Sequence, residues 1–245
     1  MLWKIPEKEL WTLGSGEKVL LSQDEHKLLI WNIYKANRAG IAQDLKKLTE
    51  GSEFIFLQEA LQQNRNNWLE ALAGFQLHLV NNFESRLNQQ ITGVGLASTT
   101  PSHSQQILRT QEREFGGFFT PKSALFSVYK IEDQAVLFVS VHVLNFVTQK
   151  AFIKNIEEIV QKVDSFKGPV IVAGDFNTWS QGRWQVLNDI MKILHLIWVP
   201  IENDNRLLKL DHAFVRGFDV THSKIENGTK TSDHFPLVMS VRLEK

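Results

Sequence analysis

Apolar residues along the chain fall into short, dense runs separated by polar stretches, and runs of that length read as strands rather than helices. Eight have strand character: Leu28 to Ile33, Phe54 to Leu57, Gly93 to Ala97, Ala124 to Tyr129, Val136 to Val143, Val170 to Ala173, Ala213 to Val215 and Leu237 to Val241. They are read as core strands. Three other stretches carry a helical period. Ile41, Leu45 and Leu48 end at Gly51; Phe152, Ile153, Ile156, Ile159, Val160 and Val163 end at Gly168-Pro169; Trp184, Leu187, Ile190, Met191 and Leu194 form the third. Strands alternate with helices in places and follow one another directly in others, as from Ala124 to Val143. This predicts an α/β protein with a mixed sheet system and helical covers. Residues 1–27 read as a loosely patterned N-terminal arm, and residues 28–245 as a single domain.

Composition narrows the picture. The chain has 245 residues, 43% of them hydrophobic, with sixteen Phe and seven Trp, enough apolar surface for a packed core. No repeat or Pro/Gly/Ser linker divides it. Cysteine is absent, which excludes disulfide staples, thiolate zinc sites and a cysteine nucleophile. Lys and Arg number 27 against 27 Asp and Glu. With no whole-molecule field toward phosphate, anion binding has to come from a local site. Lys4, Glu7, Lys8 and Glu9 interrupt any secretory apolar region, and Ser140, His142 and Asn145 interrupt the longest apolar stretch. The expectation is a soluble cytoplasmic protein.

The informative polar residues sit at the ends of the apolar runs. Asn32 closes LLIWN, Glu59 closes FIFLQE, His142 closes VLFVSVH, Asp175 follows VIVAG, Asp211 opens LDHAFV, and Asp233-His234 precede FPLVMSV. Any one of these has a structural explanation as a turn former, a rim charge or a core histidine. Together they place carboxylates, histidines and amides where a rigid scaffold presents reactive groups. Asp175 and Asn177 lie two apart, so an extended backbone turns both to one face, and Gly174 leaves room there for a ligand. The competing reading of GDFN is an Asx-turn after a buried strand. His234 needs an acceptor to orient it, and Asp211 is the candidate. A serine hydrolase is excluded because no G-x-S-x-G elbow supplies a nucleophile, and a structural zinc site lacks its ligands. Few carboxylates, amide ligands and no thiolate favour a hard ion, Mg²⁺ or Mn²⁺.

In order, LLIWNIYK, FIFLQEA, VSVHVLNF, IVAGDFNTW, LDHAFV and TSDHFPL resemble the motif series of the endonuclease/exonuclease/phosphatase superfamily with the deoxyribonuclease-I-like fold. WNIYK, PKSAL, HVLNF, GPVIVAGDFNTWS and FVRGFDV are similar to its YafD-type bacterial members. The resemblance implies a four-layer α/β/β/α sandwich with a divalent-metal phosphoesterase centre at one rim. It implies that Asn32, Glu59 and Asp233 belong to the metal region, with Glu59 a direct ligand. Asp175 and Asn177 match the GDxN acid and amide, Asp211 the aspartate that orients the catalytic histidine His234, and His142 a histidine that contacts phosphate. Two positions depart from the pattern. WNIYKAN lacks the acid that some nucleases carry two positions after the asparagine, and His212 replaces the usual aromatic.

The expected activity is Mg²⁺-dependent phosphodiester hydrolysis, with nucleic acid as the first choice of substrate. The alternatives are a phospholipid or inositol-phosphate phosphoesterase, which an exposed hydrophobic rim or a basic pocket would support, and a silent phosphate-binding member. Lys122 is a candidate phosphate contact. Trp179 is a candidate stacking surface for a base or a lipid.

Overall fold

The computed structural model describes residues 3–115 and 120–244. The apolar runs become strands of two sheets. One sheet has nine strands: β1 (Trp3–Lys4), β2 (Leu10–Leu13), β3 (His26–Asn32), β4 (Phe54–Leu61), β5 (Gln76–Val80), β6 (Phe83–Ser85), β7 (Ile91–Ser98), β14 (Phe218–Ile225) and β15 (Leu237–Leu243). Its main path runs β1-β6-β7-β4-β3-β15-β14, with β5 pairing β7 and β2 pairing β5. The other sheet runs β12 (Ile197–Trp198), β13 (Asp211–Arg216), β11 (Val170–Asp175), β10 (Gln134–His142), β9 (Ser123–Ile131) and β8 (Ser104–Arg109). All eight strands read from the sequence are present. Residues 3–27, read as an arm, are partly built into the larger sheet instead: Leu10–Leu13 pair with β5, and Trp3–Lys4 with β6. Paired backbone holds this segment together with a few buried side chains, Trp3 and Leu20 among them.

Alternation along the strands creates the layers. Leu28, Ile30, Phe54 and Phe56 point between the sheets and meet Phe138, Ile171 and Ala173. Phe54 and Phe138 touch edge to face across the gap, ring centroids 4.3 Å apart. The intervening residues Leu29, Trp31, Ile55 and Leu57 point outward and are covered by α1 (Ile41–Thr49). Val139, Val141 and Val172 on the second sheet are covered by α2 (Gln149–Asp164) and α3 (Gln181–Ile193). The helices start at Thr148 and Ser180, whose hydroxyls accept from Ala151 N and Arg183 N at 3.3 Å each. The result is the four-layer α/β/β/α sandwich.

What positions the site is a pair of parallel crossovers. β3 and β4 run parallel and are joined through α1; β10 and β11 run parallel and are joined through α2. Each is a βαβ unit, and the carboxyl ends of its strands open onto a crevice. Asn32, Glu59, His142 and Asp175 lie at or near those four ends. β13 runs antiparallel to β11 with Asp211 opposite Asp175, and β15 runs antiparallel to β3, so Asp211 and His234 come to the same rim.

Candidate active site

His234 and Asp211 meet at the rim through both carboxylate oxygens. Nδ1 of His234 donates to Asp211 Oδ2 at 2.9 Å and lies 3.1 Å from Oδ1. The turn that presents His234 is tied to β3: the Ser232 hydroxyl donates to the Asn32 carbonyl at 2.6 Å and accepts from His234 N at 3.1 Å. Trp31 Nε1 donates to the His234 carbonyl at 2.9 Å. Behind Asp211 stands Arg206, which sequence reasoning missed. Its Nε and Nη2 grip the two oxygens of Asp204 at 2.9 and 3.1 Å, and Nη1 reaches Asp211 Oδ2 at 3.4 Å. The stretch NDNRLLKLD carries no spacing signal that singles this arginine out.

Asp175 is the hub. Its Oδ2 accepts from Asn32 Nδ2 at 3.1 Å and lies 3.4 Å from His142 Nε2 and 3.9 Å from His234 Nε2. Its Oδ1 accepts from Asn177 N at 2.9 Å. That bond is an Asx-turn, and Asn177 sits at φ +51°. The expectation of an extended GDFN segment with both side chains on one face is therefore corrected: the turn rotates Asn177 away, and its Nδ2 donates to Val143 O at 2.9 Å, stitching the ends of β10 and β11 together. Gly174 also has a different reason from the one expected. At φ +143° a Cβ would stand 2.1 Å from Val141 O, so the glycine admits the neighbouring strand rather than a ligand. His212 finds its account here. Its Nε2 donates to Thr178 Oγ1 at 2.7 Å while that hydroxyl donates to Lys209 O, and its ring stacks on Trp184 with centroids 4.8 Å apart. It braces the GDFNT loop.

Glu59 is built differently. It falls in a bulge where the β4–β7 register shifts between Leu57 and Ala60, and it holds φ +52°. Bulges re-aim side chains next to functional sites, and a non-glycine residue in this region costs on the order of 1 to 3 kcal/mol. No hydrogen bond or ion pair joins its carboxylate to the described residues. Tyr34, Lys35 and Ala36, directly after β3, also hold positive φ, at 47°, 57° and 51°. Asn64 Nδ2 fixes that turn through Lys35 O at 2.8 Å. Glu59, Lys35, His142, Glu114 and Lys122 line one cavity of about 190 Å³. Lys122 stands before β9 and pairs with Glu114 at 3.8 Å. Asp233 is exposed and is not among the lining residues. Trp179 is half exposed, with the Arg183 guanidinium 4.7 Å from its ring.

The electrostatics separate the titratable groups. Burial first, and the Asp211 charge second, push Asp175 up to about 7. Burial opposes charge on His234, but the Asp211 carboxylate, through charge and hydrogen bond, raises it to about 10 with help from Asp175 and Asp233. His142 is held well below its ordinary value by burial and by the cations Lys122, His234 and Lys35. The Asp211 carboxylate thus favours the charged form of His234, and burial favours the neutral form of His142.

Ligand atoms of Asp175, Asp211 and His234 lie within 4.8 Å of one another. With Nδ1 of His234 committed to Asp211, the trio has the connectivity of an acid–base array. The unpartnered carboxylate of Glu59 is the group whose chemistry fits a hard divalent ion, with the amide oxygen of Asn32 on the adjacent strand.

The sequence pattern of the Endonuclease/Exonuclease/phosphatase family matches residues 29–234. A UPF0294 protein of Vibrio campbellii is 31% identical over 234 residues, covering 92% of this chain and 80% of that protein. An endonuclease/exonuclease/phosphatase family protein of Bacteroides thetaiotaomicron superposes with a TM-score of 0.72 at 16% identity, over 91% of this chain and 99% of its own. The mannosyl-6-phosphatase Bt3783 of the same species gives 0.71 at 16%, over 88% and 99%. D. rerio TDP2 complexed with a single-strand DNA product gives 0.66 at 14%, over 90% and 100%. Sequence pattern, overall identity and the meeting of two βαβ units at one rim agree that the chain belongs to the endonuclease/exonuclease/phosphatase family.

Proposed function

We propose that the protein is a divalent-metal-dependent phosphodiester hydrolase of the cytoplasm, its catalytic domain spanning residues 28–245. The observation that carries this reading is the convergence of Asn32, His142 and His234 on a single oxygen of Asp175 beside an unpartnered Glu59. Glu59 and the Asn32 amide would hold the ion, Mg²⁺ or Mn²⁺; Asp233, exposed and outside the cavity lining, is not placed on it. When bound, the ion supplies charge to a phosphate and to its leaving oxygen.

The chain's own residues divide the remaining work. Asp175 offers the oxygen on which an attacking water is oriented and to which its proton passes. His234, fixed by Asp211, turns its free Nε2 edge toward that oxygen and donates to a non-bridging phosphate oxygen. His142 approaches from the other side, and Lys122 adds charge at the cavity wall. Asn177 serves through its loop geometry, holding Asp175 and Val143 in register. None of these groups reads a base, so the site recognises a diester as such. Nucleic-acid strands are the first substrates to assay, and the TDP2 neighbour with its DNA product supports that choice.

Purified protein with Mg²⁺ or Mn²⁺ is expected to hydrolyse at least one member of a panel of single-stranded DNA, RNA, plasmid and phospholipid diesters. Glu59→Gln is expected to stay folded, lose hydrolysis and bind Mg²⁺ more weakly by calorimetry. Unchanged Mg²⁺ affinity in the folded variant overturns the assignment of Glu59.

A further inference from the structure

Exposed apolar side chains are concentrated around the cleft. Of thirteen large hydrophobic residues exposed among the described residues, eight sit in segments that leave or enter the catalytic strand ends. Leu87, 79% exposed, is in the β6–β7 hairpin, whose open end lies beside the end of β4. Leu207 and Leu208, 98% and 53% exposed, lie between Arg206 and Lys209, both bonded at the rim. Phe146 follows His142 and stacks on Phe115 at 4.9 Å; Trp179 follows Asn177; Phe235 follows His234. Apolar side chains gathered in the segments around one rim mark an interaction surface rather than scattered surface apolarity.

Two properties of this group select its partner. Three of its most prominent members are leucines, which have no π-face and gain nothing from stacking on bases. They insert readily into acyl chains. Cations accompany the protrusions: Arg86 beside Leu87, Lys209 beside Leu208, Lys150 four residues after Phe146, and Arg38 5.2 Å from the Tyr34 ring. Arg86 and Lys150 have no ion-pair partner among the described residues. Apolar tips ringed by cations complement an anionic lipid interface. No helix among the described residues is long and apolar enough to span a bilayer.

We infer that the catalytic rim docks on the surface of an anionic phospholipid bilayer, with Leu87, Leu207 and Leu208 inserted and the cleft facing the headgroups. Diesters held at that surface, phospholipids first among them, are then presented to Asp175 alongside the soluble nucleic-acid strands of the proposed function. The orientation rests on the phosphodiesterase reading, whereas docking itself is measurable without turnover.

The test is co-sedimentation of the full chain with vesicles of phosphatidylcholine alone and with phosphatidylglycerol added. Wild type and Glu59→Gln are expected to bind the anionic vesicles alike. Leu207→Ser/Leu208→Ser and Leu87→Ser are expected to reduce partitioning about tenfold or more while leaving hydrolysis of a soluble diester, bis-p-nitrophenyl phosphate, unchanged. Absence of vesicle binding by wild type, or unchanged binding by the folded leucine variants, overturns the inference. So does loss of single-stranded DNA binding in those variants with vesicle binding intact, which assigns these side chains to nucleic acid. Vesicle binding without hydrolysis of any diester leaves docking standing and overturns the phosphodiesterase reading instead.

Discussion

On the β11–β13 side of the cleft, Asp175, Asp211, Asn177 and His234 each have at least one protein partner within 3.1 Å; on the β4 side, Glu59 has none among the described residues. The first side is braced from behind by Arg206 and His212, buried polar groups that complete its hydrogen bonding. The second rests on left-handed backbone at Tyr34, Lys35, Ala36 and Glu59. Groups that must hold one geometry while protons move are locked by their neighbours. On the proposed reading, a carboxylate that would take an ion is left open, and the positive-φ backbone of the bulge would aim it.

The largest expected effect comes from breaking the braced side at its centre. His234→Ala and Asp211→Asn should each lower kcat by about a thousandfold, and the double variant should be little worse than the worse single one. Steady-state kinetics on the three proteins decides: multiplying losses show that the two residues serve separate steps.

A smaller effect concerns the brace itself. Burial, with the Arg206 charge adding to it, lowers His212 from 6.5 to about 4. The folded state therefore keeps the ring neutral where the unfolded chain protonates it. The stabilisation is complete above pH 6.5 and is lost as pH falls through about 4, at most about 3 kcal/mol in all. Urea unfolding across that range should show a shallower acid decline for His212→Phe than for wild type. Parallel declines remove His212 from the account of acid sensitivity.

The smallest effect sharpens the open side. Glu59→Gly relieves left-handed backbone at a position whose carboxylate makes no hydrogen bond or ion pair with the described residues. It should raise stability by about 1 kcal/mol while abolishing hydrolysis. A destabilised variant in urea means that the bulge is held by the Glu59 side chain rather than strained by it.

The sequence was legible where burial comes with consecutive apolar residues; β5, QLHLV, is buried from Leu77 to Val80 but was missed because His78 interrupts the run. The eight dense apolar runs became strands because strands covered on both faces need apolar residues at consecutive positions. β8, SQQILR, and β14, FDVTHSKI, escaped notice because one or both faces are part-exposed and polar residues interrupt the run. β2 and β6 escaped for the same reason, being short and only half-buried. The strand-end residues were legible as a set, since each closes or opens an apolar run. Backbone conformation was not: nothing in FIFLQEAL marks the bulge at Glu59, and GDFN fits an extended strand end as well as the Asx-turn it adopts. Arg206 and the role of His212 depend on contacts made only once β13 lies against β11.

The placement of β15 has a consequence for how the protein acquires activity. The last strand of the chain is not an edge: it lies between β3 and β14, and the turn just before it carries His234. Asn32, Glu59, His142 and Asp175 all precede this strand in the sequence, so a chain emerging from the ribosome keeps that flank of β3 unpaired until β15 has been made. The proposed site therefore stays incomplete until β15 has paired with β3, since the turn that carries His234 is held by that pairing and by the Ser232 and Trp31 bonds.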